Sequence, residues 1–384
     1  MELTINRNDL HKLLQLTETV VQKKTTMPIL SNVLLSANDG ILKIAASDLE
    51  VTVVSLAEAS VKRAGSTTVS GKVFADIVRE LPDPTVSLRL TEGERIEIKA
   101  ARSKIKVVGV GAEEYPSLPG MNLESKGRVL ASQLLEMIQQ TIYAVSLDET
   151  RFTLGGVCFE GYQEGKGKNA QKILRLVATD GHRLAMISRQ IEHQIFDDAT
   201  QADSKWGGVI VPRKGLAEIK KIIGDNVDRE VGIAVRDGFL LVDAGDAKIS
   251  MRLIDGAFPD YAQVLPKQTG TIVTVNRNDF VQALRRVALL VSDKGKCVRL
   301  ELESGKMRIL SSSPELGEAI EELEVGYEGE RFNVGFNAKY LIDVATTQAT
   351  ATNLCLELNG ELGPGKFFPE NDDSCVAIVM PMRL

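Results

Sequence analysis

The residues that could carry acid–base or nucleophilic chemistry are few, because the 384-residue chain has only three histidines. His182 follows Asp180 by two positions, a pairing that could act as acid and base, and Ser311–Ser313 offers hydroxyl nucleophiles. The chain has no His-Glu-x-x-His spacing and no Gly-Lys-Ser/Thr phosphate loop, and Gly109-x-Gly111 lacks the rest of a dinucleotide fingerprint. Asp180-Gly181 is typical of a hairpin turn. An enzyme is therefore the weaker interpretation of these residues.

The four cysteines are widely scattered and form no Cys-x-x-Cys pair: Cys158, Cys297, Cys355 and Cys375. This pattern is typical of reduced packing residues, so we expect neither a bound metal nor a cofactor. No apolar run approaches the roughly 20 residues that span a bilayer, and the N-terminus lacks a signal-peptide pattern. We therefore expect a cytoplasmic protein that neither spans nor binds a membrane.

Composition and charge limit the partners. Hydrophobic content of 43% and charged content of 26% describe an ordinary globular protein, and the length allows two or three domains. The net charge of −6 would not steer the whole molecule towards nucleic acid. Any contact with DNA would need a local basic surface on an acidic protein.

The elements that must position these residues begin with a motif that occurs twice. Asn6-Arg7-Asn8-Asp9 and Asn276-Arg277-Asn278-Asp279 each follow a β-branched residue and precede apolar residues spaced three and four apart. This pattern predicts a strand that runs into a capped helix, with the two helices ending around Val21 and Ser292. Two copies in the same context indicate duplication within the chain.

A degenerate third copy predicts a helix over 130–146, with Ser132 as its cap. A second helix opens in each repeat with a lysine four residues before an acid, which places both side chains on one face. These pairs are Lys72 and Asp76, Lys214 and Glu218, and Lys339 and Asp343. Between the two helices, polar turns are predicted at matching places: Ser47-Asp48, Thr179-Asp180 and Ser312-Ser313.

Each repeat thus consists of helix, strands, turn, strands, helix and strands. The order predicts α+β domains in which two helices pack on one side of antiparallel sheets. Proline-containing linkers at Tyr115–Gly120 and Phe258–Pro266 divide the chain into domains 1–122, 123–265 and 266–384. We expect Gly161–Lys172 to be a long hairpin tip and Gly360–Ser374 to be an irregular loop.

With the repeats established, the sequence resembles the bacterial sliding clamp, the beta subunit of the replicative DNA polymerase. The resemblance covers the whole chain in order. The stretches that carry it are Thr26–Leu30, Val177–Ala185, Val211–Gly215, Phe258–Tyr261, Gly335–Asn337 and Val379–Leu384.

The resemblance implies three repeated DNA-clamp domains per chain, and a homodimer closed head to tail into a ring around double-stranded DNA. Such a processivity factor is not an enzyme. It tethers the polymerase catalytic subunit, the clamp loader and other proteins that carry a clamp-binding peptide. Because it must hold DNA without stopping on it, its contacts should go to phosphates and read no bases. The alternative is a clamp paralogue with a specialised or drug-tolerant role.

Basic residues on the helices are the candidates for phosphate contacts around a central hole. They are Arg7, Lys72, Arg79, Lys214, Lys220, Lys221, Arg285 and Lys339, with Lys12 as a further candidate. Lys24 aligns with a loop arginine that contacts DNA in the family. Asp148 stands where a well-studied member has a DNA-contacting glutamine, so the second loop contact differs here.

The resemblance also implies a cleft that takes partner peptides between the second and third domains. The matching residues are Leu154, Thr179, Gly181, His182, Arg183, Leu184, Pro259, Val264, Asn337, Tyr340, Ile378, Val379, Met380, Pro381 and Met382. Adaptable apolar residues, methionine above all, suit a groove that accepts several different peptides. Gly295 stands where a well-studied member has an aromatic residue at the rim of the cleft.

Charge predicts how two chains would join. Arg102, Lys104 and Lys106 alternate along a predicted strand near the end of the first repeat. The third repeat carries a cluster of acids: Glu315, Glu318, Glu321 and Glu322, with Glu324 beside them. Pairing these ends head to tail would cancel two like-charge clusters. Leu289 and Leu290 match interface positions in the family and would add apolar contact.

Overall fold

The structure, a computed structural model, describes residues 1–21, 27–121, 127–165, 171–192, 208–224, 226–266, 270–292 and 296–383. Two residues with expected roles, Lys24 and Gly295, lie outside the described residues, as do 166–170 of the predicted hairpin tip. No helix in the described ranges is long and apolar enough to cross a membrane.

Single helices and groups of strands follow one another in the predicted order. The helices are α1 (Arg7–Glu18), α2 (Gly71–Glu80), α3 (Ala131–Ile142), α4 (Arg213–Ile223), α5 (Arg277–Ala288) and α6 (Ala338–Thr347). The strands are β1 (Glu2–Asn6), β2 (Asn32–Asn38), β3 (Ile41–Ser47), β4 (Val51–Glu58), β5 (Ser60–Arg63), β6 (Gly65–Ser70), β7 (Thr85–Thr91), β8 (Arg95–Ala100), β9 (Ser103–Val110), β10 (Gly127–Leu130), β11 (Gly156–Glu164), β12 (Gln171–Thr179), β13 (Arg183–Ile191), β14 (Val209–Pro212), β15 (Glu230–Arg236), β16 (Phe239–Asp243), β17 (Ala247–Arg252), β18 (Thr271–Asn276), β19 (Cys297–Glu303), β20 (Lys306–Ser313), β21 (Gly317–Gly326), β22 (Phe332–Asn337), β23 (Asn353–Leu358), β24 (Gly365–Pro369) and β25 (Cys375–Val379).

The strands form one antiparallel sheet in each of two compact units. The first unit is mainly residues 1–132 and 214–253, and its 13 strands run in the order β10-β15-β16-β17-β4-β3-β2-β6-β9-β8-β7-β1-β5. The second unit is mainly residues 133–191 and 254–384, and its 12 strands run β14-β11-β12-β13-β25-β24-β23-β18-β21-β20-β19-β22. Each sheet therefore joins strands from more than one repeat, and the middle repeat contributes strands to both units.

The repeated Asn-Arg-Asn-Asp motif performs the same two tasks in both copies. The Asn6 side chain accepts a hydrogen bond from the N–H of Asn8 and caps α1, and Asn276 caps α5 in the same way. The arginine that follows donates to a carbonyl near the end of the second helix of its repeat. Arg7 Nη1 lies 2.8 Å from the Leu81 oxygen, and Arg277 Nε lies 3.1 Å from that of Ala351.

The first helix of each repeat is shorter than predicted. In all three, the turn after the helix has backbone hydrogen bonds from residue i to residue i−3, as in Val20 to Thr17, Val145 to Ile142 and Leu290 to Val287. The carbonyls that the helix end leaves unpaired accept these bonds, so the chain continues as a tighter turn. The apolar residues of this turn prolong the pattern of the α-helix. The predictions that the helices reach Val21, 146 and Ser292 were therefore wrong by one turn.

The predicted cap of the middle repeat was also wrong. α3 begins at Ala131, so Ser132 lies inside its first turn. The free N–H groups at this helix end are satisfied by backbone instead, because Ala131 donates to the Arg229 oxygen and Ser132 to that of Val227, each at 2.9 Å.

Two regions that were predicted to be irregular contain β-strands. Ser311–Ser313 completes β20, and the turn to β21 follows it, so the predicted turn was displaced by three residues. The stretch Gly360–Ser374 contains β24, which pairs with both β23 and β25. The glycines and charged residues of this stretch had indicated a loop, but it contains a strand whose Phe367 is 1% exposed.

Candidate functional site

A cavity of about 150 Å³ lies in the second unit, where the hairpin between β12 and β13 meets the chain after β25. Its walls contain many of the residues that sequence analysis assigned to a peptide cleft. They are Leu154, Thr179, Gly181, His182, Arg183, Leu184, Pro259, Val264, Ile378 and Met380. Asp260 and Tyr261 also line it and were not predicted. Most of the exposed lining is apolar, so the cavity suits an apolar side chain presented by a partner.

The hairpin that forms one wall is fixed by its own side chains. Asp180 Oδ1 accepts hydrogen bonds from the N–H groups of His182 and Arg183, both at 3.0 Å. Gly181 has φ +87°, a left-handed conformation that glycine adopts without strain. Thr179 Oγ1 accepts from the N–H of Gly181 and donates to the Arg183 oxygen. The Asp-Gly pair thus makes the predicted turn, and the Asp180 carboxylate is committed to it rather than to acid–base work.

Arg183 joins this hairpin to two other parts of the second unit. Its side chain is 8% exposed and forms ion pairs with Asp180 at 3.0 Å and with Asp343 of α6 at 2.6 Å. Nη2 donates to the backbone oxygen of Tyr143 at 2.6 Å, and the guanidinium lies 4.4 Å from the centre of the Tyr340 ring. The planar guanidinium therefore satisfies one carboxylate on each side of the junction between the hairpin and α6.

The chain after β25 closes the cavity. β25 pairs with β13, with Arg183 opposite Val379, and the N–H of Met380 donates to the His182 oxygen at 2.9 Å. Met382 then donates to the Gly335 oxygen at 2.8 Å, beside β22. Val379 is fully buried, and Asn337 caps α6, so both support the site from behind. Pro381, Met382 and Tyr340 are half-buried beside the cavity.

A turn of the same design occurs in the first unit. Asp48 Oδ1 accepts hydrogen bonds from the N–H groups of Glu50 and Val51, at 3.0 and 2.7 Å, and Leu49 takes the left-handed conformation with φ +74°. The backbone N–H of Arg252, at the end of β17, donates to the backbone oxygen of Glu50, just as the N–H of Met380 donates to the backbone oxygen of His182. The fully buried Asp48 side chain forms an ion pair with Lys214. Lys214 is thus partly neutralised within the chain, which its sequence context did not indicate.

The other basic candidates divide into two groups. Arg79 forms an ion pair with Asp76, and Lys221 pairs with Glu218 at 2.8 Å. Arg7 is bonded to a helix-end carbonyl, and Lys12 pairs with Asp246. Four candidates are exposed and, within the described ranges, form no ion pair: Lys72, Lys220, Arg285 and Lys339. These four are the cations best able to meet a phosphate.

Asp148 and Ser311 both have local partners. Asp148 accepts hydrogen bonds from the side chain and N–H of Thr150, which hold the pKa of its carboxyl below the ordinary value. Ser311 is buried and donates to the Val287 oxygen at 3.0 Å. Ser311 is therefore committed to a hydrogen bond inside the fold, and Asp148 to the turn that contains Thr150.

Two long strands have one edge without a strand partner among the described residues. β9 pairs with β8 throughout 103–108 but meets β6 only at Gly109 and Val110. β21 pairs with β20 throughout 317–324 but meets β18 only at Val325 and Gly326. Free backbone edges of this length pair readily with another chain. By contrast, of the strands at the ends of the sheets, β5, β10 and β14 are four residues long and β22 is six.

The free edges carry the predicted charges, with two corrections. Lys104 and Lys106 are exposed on β9, but Arg102 lies in the turn before it. Glu318 and Glu322 are exposed on one face of β21, whereas Glu321 faces α5 and forms a bidentate ion pair with Arg286 at 2.6 and 2.7 Å. Glu315 lies in the turn before the strand, Leu289 is 77% exposed after α5, and Leu290 is half-buried.

Glu97 organises the positive edge. Its side chain, on β8, is 7% exposed and lies 3.0 Å from the ammonium groups of both Lys99 and Lys104, with Lys106 at 3.9 Å. The hydrogen bonds from Lys99 and Lys104 lower the pKa of Glu97 to about 2. One carboxylate thus holds three lysines in place and leaves the edge with a net positive charge.

Comparison with known proteins gives matches along the whole chain. Models of the N-terminal, central and C-terminal domains of the DNA polymerase III beta subunit match residues 1–119, 128–260 and 262–383. The beta sliding clamp of Caulobacter vibrioides is 36% identical over 346 residues, 90% of each chain, and that of Vibrio cholerae is 33% identical over 385 residues, 100% of each. A crystal structure of the sliding clamp from Bartonella birtlesii bound to griselimycin superposes with a TM-score of 0.90, at 30% identity, over 100% of both chains.

Arg183→Met should destabilise the second unit by about 3 kcal/mol, because it leaves Asp180 and Asp343 without their shared cation. Urea unfolding and hydrogen exchange of α6 would measure the effect. Arg183→Met combined with Asp343→Asn is the matched control and should recover part of the loss. Equal stability of the wild type and the single variant would contradict the assigned role.

Glu97→Gln should lower stability only where the wild-type carboxyl is ionised. Because its folded pKa of about 2 lies below the unfolded value, the stabilisation is complete above about pH 5 and is lost as the pH falls towards 2. The urea midpoints of variant and wild type should therefore differ at neutral pH and converge between about pH 4.5 and 2. Glu80→Gln, at an exposed position, serves as the control, and a difference that persists unchanged to the acid end of this range would refute the explanation.

Proposed function

Because the chain belongs to the family of DNA polymerase III beta subunits, the bacterial beta sliding clamps, we propose that it is a DNA sliding clamp. Two chains would close head to tail into a ring around duplex DNA and tether the replicative polymerase to it. The protein would act by topology and by binding, without catalysis, and would work in the cytoplasm. No observation favours a specialised paralogue over this function.

The observation that carries the proposal is the pair of free strand edges of opposite charge. β9 presents Lys104 and Lys106 on an edge without a strand partner in the described residues, and β21 presents Glu318 and Glu324 on another. An antiparallel pairing of β9 from one chain with β21 from the second would satisfy both backbone edges. The charges favour this head-to-tail arrangement over head-to-head contacts, which would place like charges together.

The path of DNA would be lined by the exposed cations on the second helix of each domain and on α5. Lys72, Lys220, Arg285 and Lys339 are the proposed phosphate contacts, and Lys24 is proposed from its match to the family. Isolated lysines and arginines that neutralise phosphates bind without reading bases, as sliding requires. Arg7, Arg79, Lys214 and Lys221 remain proposed contacts, but each already has a partner within the chain.

The cavity beside the Thr179–Leu184 hairpin is the proposed docking site for peptides of the polymerase, the clamp loader and other partners. Its lining is mostly apolar, and Met380 and Val264 are about 40% exposed at its mouth, as an anchor pocket for an apolar side chain requires.

We also propose domain boundaries at 122/123 and 265/266. The linkers that contain Pro116, Pro119 and Pro266 support them.

Retention on circular DNA tests the function directly. The labelled protein, loaded by its clamp loader onto a nicked circular plasmid, should remain bound through gel filtration and be lost once the plasmid is linearised. Retention that does not depend on circularity would contradict the proposal, because it would indicate conventional DNA binding.

Lys104→Glu with Lys106→Glu should weaken the dimer and its retention on circular DNA. Mixing this variant with a chain that carries Glu318→Lys and Glu324→Lys should restore the dimer. In the mixed dimer one interface has its charges exchanged and the other is unchanged, so opposite charges meet at both.

A further inference from the structure

Tyr261 is a wall of the cavity that belongs to no strand and to no α-helix. It begins a short 3-10 turn, Tyr261–Gln263, which is capped by Asp260 and lies in the chain between β17 and β18. Its ring packs with Leu184 and Ile378, both of which also line the cavity. A wall on such a short turn needs another restraint if the cavity is to keep its form.

That restraint is a row of buried and half-buried polar side chains on the sheet beside the cavity. Glu160 of β11, Arg175 of β12 and Ser188 of β13 are direct cross-strand neighbours. Tyr261 Oη donates to Glu160 Oε2 at 2.6 Å, and Arg175 Nη1 donates to the same hydroxyl at 3.4 Å. Arg175 is itself held by Ser188 Oγ at 2.9 Å and by the hydroxyl of Tyr162 at 2.5 Å.

The arrangement makes the Tyr261 hydroxyl difficult to displace. Glu160 is 7% exposed and Tyr261 is 5% exposed, so neither group has ready access to water as a substitute partner. Burial raises the pKa of Glu160, and the hydrogen bond from Tyr261 opposes that rise. If the ring moved, the buried carboxylate would lose its only close donor among the described residues, because the Cys158 thiol lies 3.9 Å away.

We propose that Glu160 and Arg175 are positioning residues of the peptide cavity, which act by holding the Tyr261 ring in its wall. The inference rests on the proposed function, since it assumes that the cavity binds partner peptides. It adds that the affinity of the cavity depends on a polar row that no partner touches. The row stabilises the bound form of the cavity in advance, so that binding does not have to order it.

Griselimycin, found bound to the Bartonella birtlesii clamp, is the probe, and calorimetric titration of the full-length protein gives its affinity. Tyr261→Phe keeps the ring but removes the hydroxyl, and should weaken binding about tenfold, the equivalent of one buried hydrogen bond. Glu160→Leu should weaken it to a similar degree. Glu160→Gln keeps an acceptor and should stay within about twofold of the wild type.

Two further variants separate positioning from general destabilisation. Tyr327→Phe removes another buried tyrosine hydroxyl, which donates to the Glu330 oxygen and belongs neither to the row nor to the cavity, and should leave the affinity unchanged. The double variant Tyr261→Phe with Glu160→Leu should bind no more weakly than either single variant, because both act through the same bond. Additive losses, or equal losses for Tyr327→Phe and Tyr261→Phe, would overturn the inference.

Val264→Asp, at the mouth of the cavity, distinguishes this inference from the proposed function. If it abolishes binding while Tyr261→Phe binds like the wild type, the positioning role is wrong and the peptide site stands. If Val264→Asp also binds normally, the probe does not use the cavity. The proposed peptide site and the positioning role are then both overturned. Should Glu160→Leu fail to fold, Tyr261→Phe and Glu160→Gln are sufficient for the decision.

Discussion

Backbone hydrogen bonding along strand edges is the constraint on which the rest of this protein depends. Each unit is one long antiparallel sheet, and three of the four strands at the sheet ends, β5, β10 and β14, are only four residues long. β9 and β21 are different, because each leaves one edge without a strand partner over 103–108 and 317–324 within the described residues. An edge of this length is a liability in a monomer, and pairing with a second chain removes it. The proposed ring follows from satisfying both edges at once.

The same constraint explains where the cavity lies. In both units a strand from later in the chain joins the sheet beside an aspartate turn, β17 beside the turn of Asp48 and β25 beside that of Asp180. At both places the residue that leaves the strand donates a backbone hydrogen bond to the turn. In the first unit the turn carries Leu49, and the aspartate pairs with Lys214. In the second it carries Gly181, which lines the cavity, and Arg151 Nη1 lies 3.0 Å from where a Cβ of that residue would be.

Much of this could be predicted from sequence because the pattern is local or repeated. The Asn-Arg-Asn-Asp motif gave two capped helices, and Asp180-Gly181 gave its turn, since the residues that determine these structures lie within a few positions. The cavity residues came from the family resemblance, and the structure gathers many of them around one space.

The missed features depend on contacts between residues distant in sequence. Lys214 was assigned to DNA by its helix, but its partner Asp48 is 166 positions away. Tyr261 sat in an apparent linker, and nothing in its neighbours indicated the buried Glu160 that holds it 101 positions away. β24 was missed because Gly-Lys-Phe-Phe-Pro has no alternating pattern of apolar and polar residues, and only pairing on both sides makes it a strand.

The central claim is that β9 of one chain lies beside β21 of the other, and site-directed cross-linking measures this most directly. Val108 and Ile320 are 69% and 63% exposed on the two free edges, and Cys297 is the one half-buried native cysteine in the described residues. In a Cys297→Ser background, a chain with Val108→Cys mixed with a chain with Ile320→Cys should give covalent dimers with a short bis-maleimide. Each variant alone should give none. Efficient cross-linking of either variant with itself, or none in the mixture, would contradict the head-to-tail pairing.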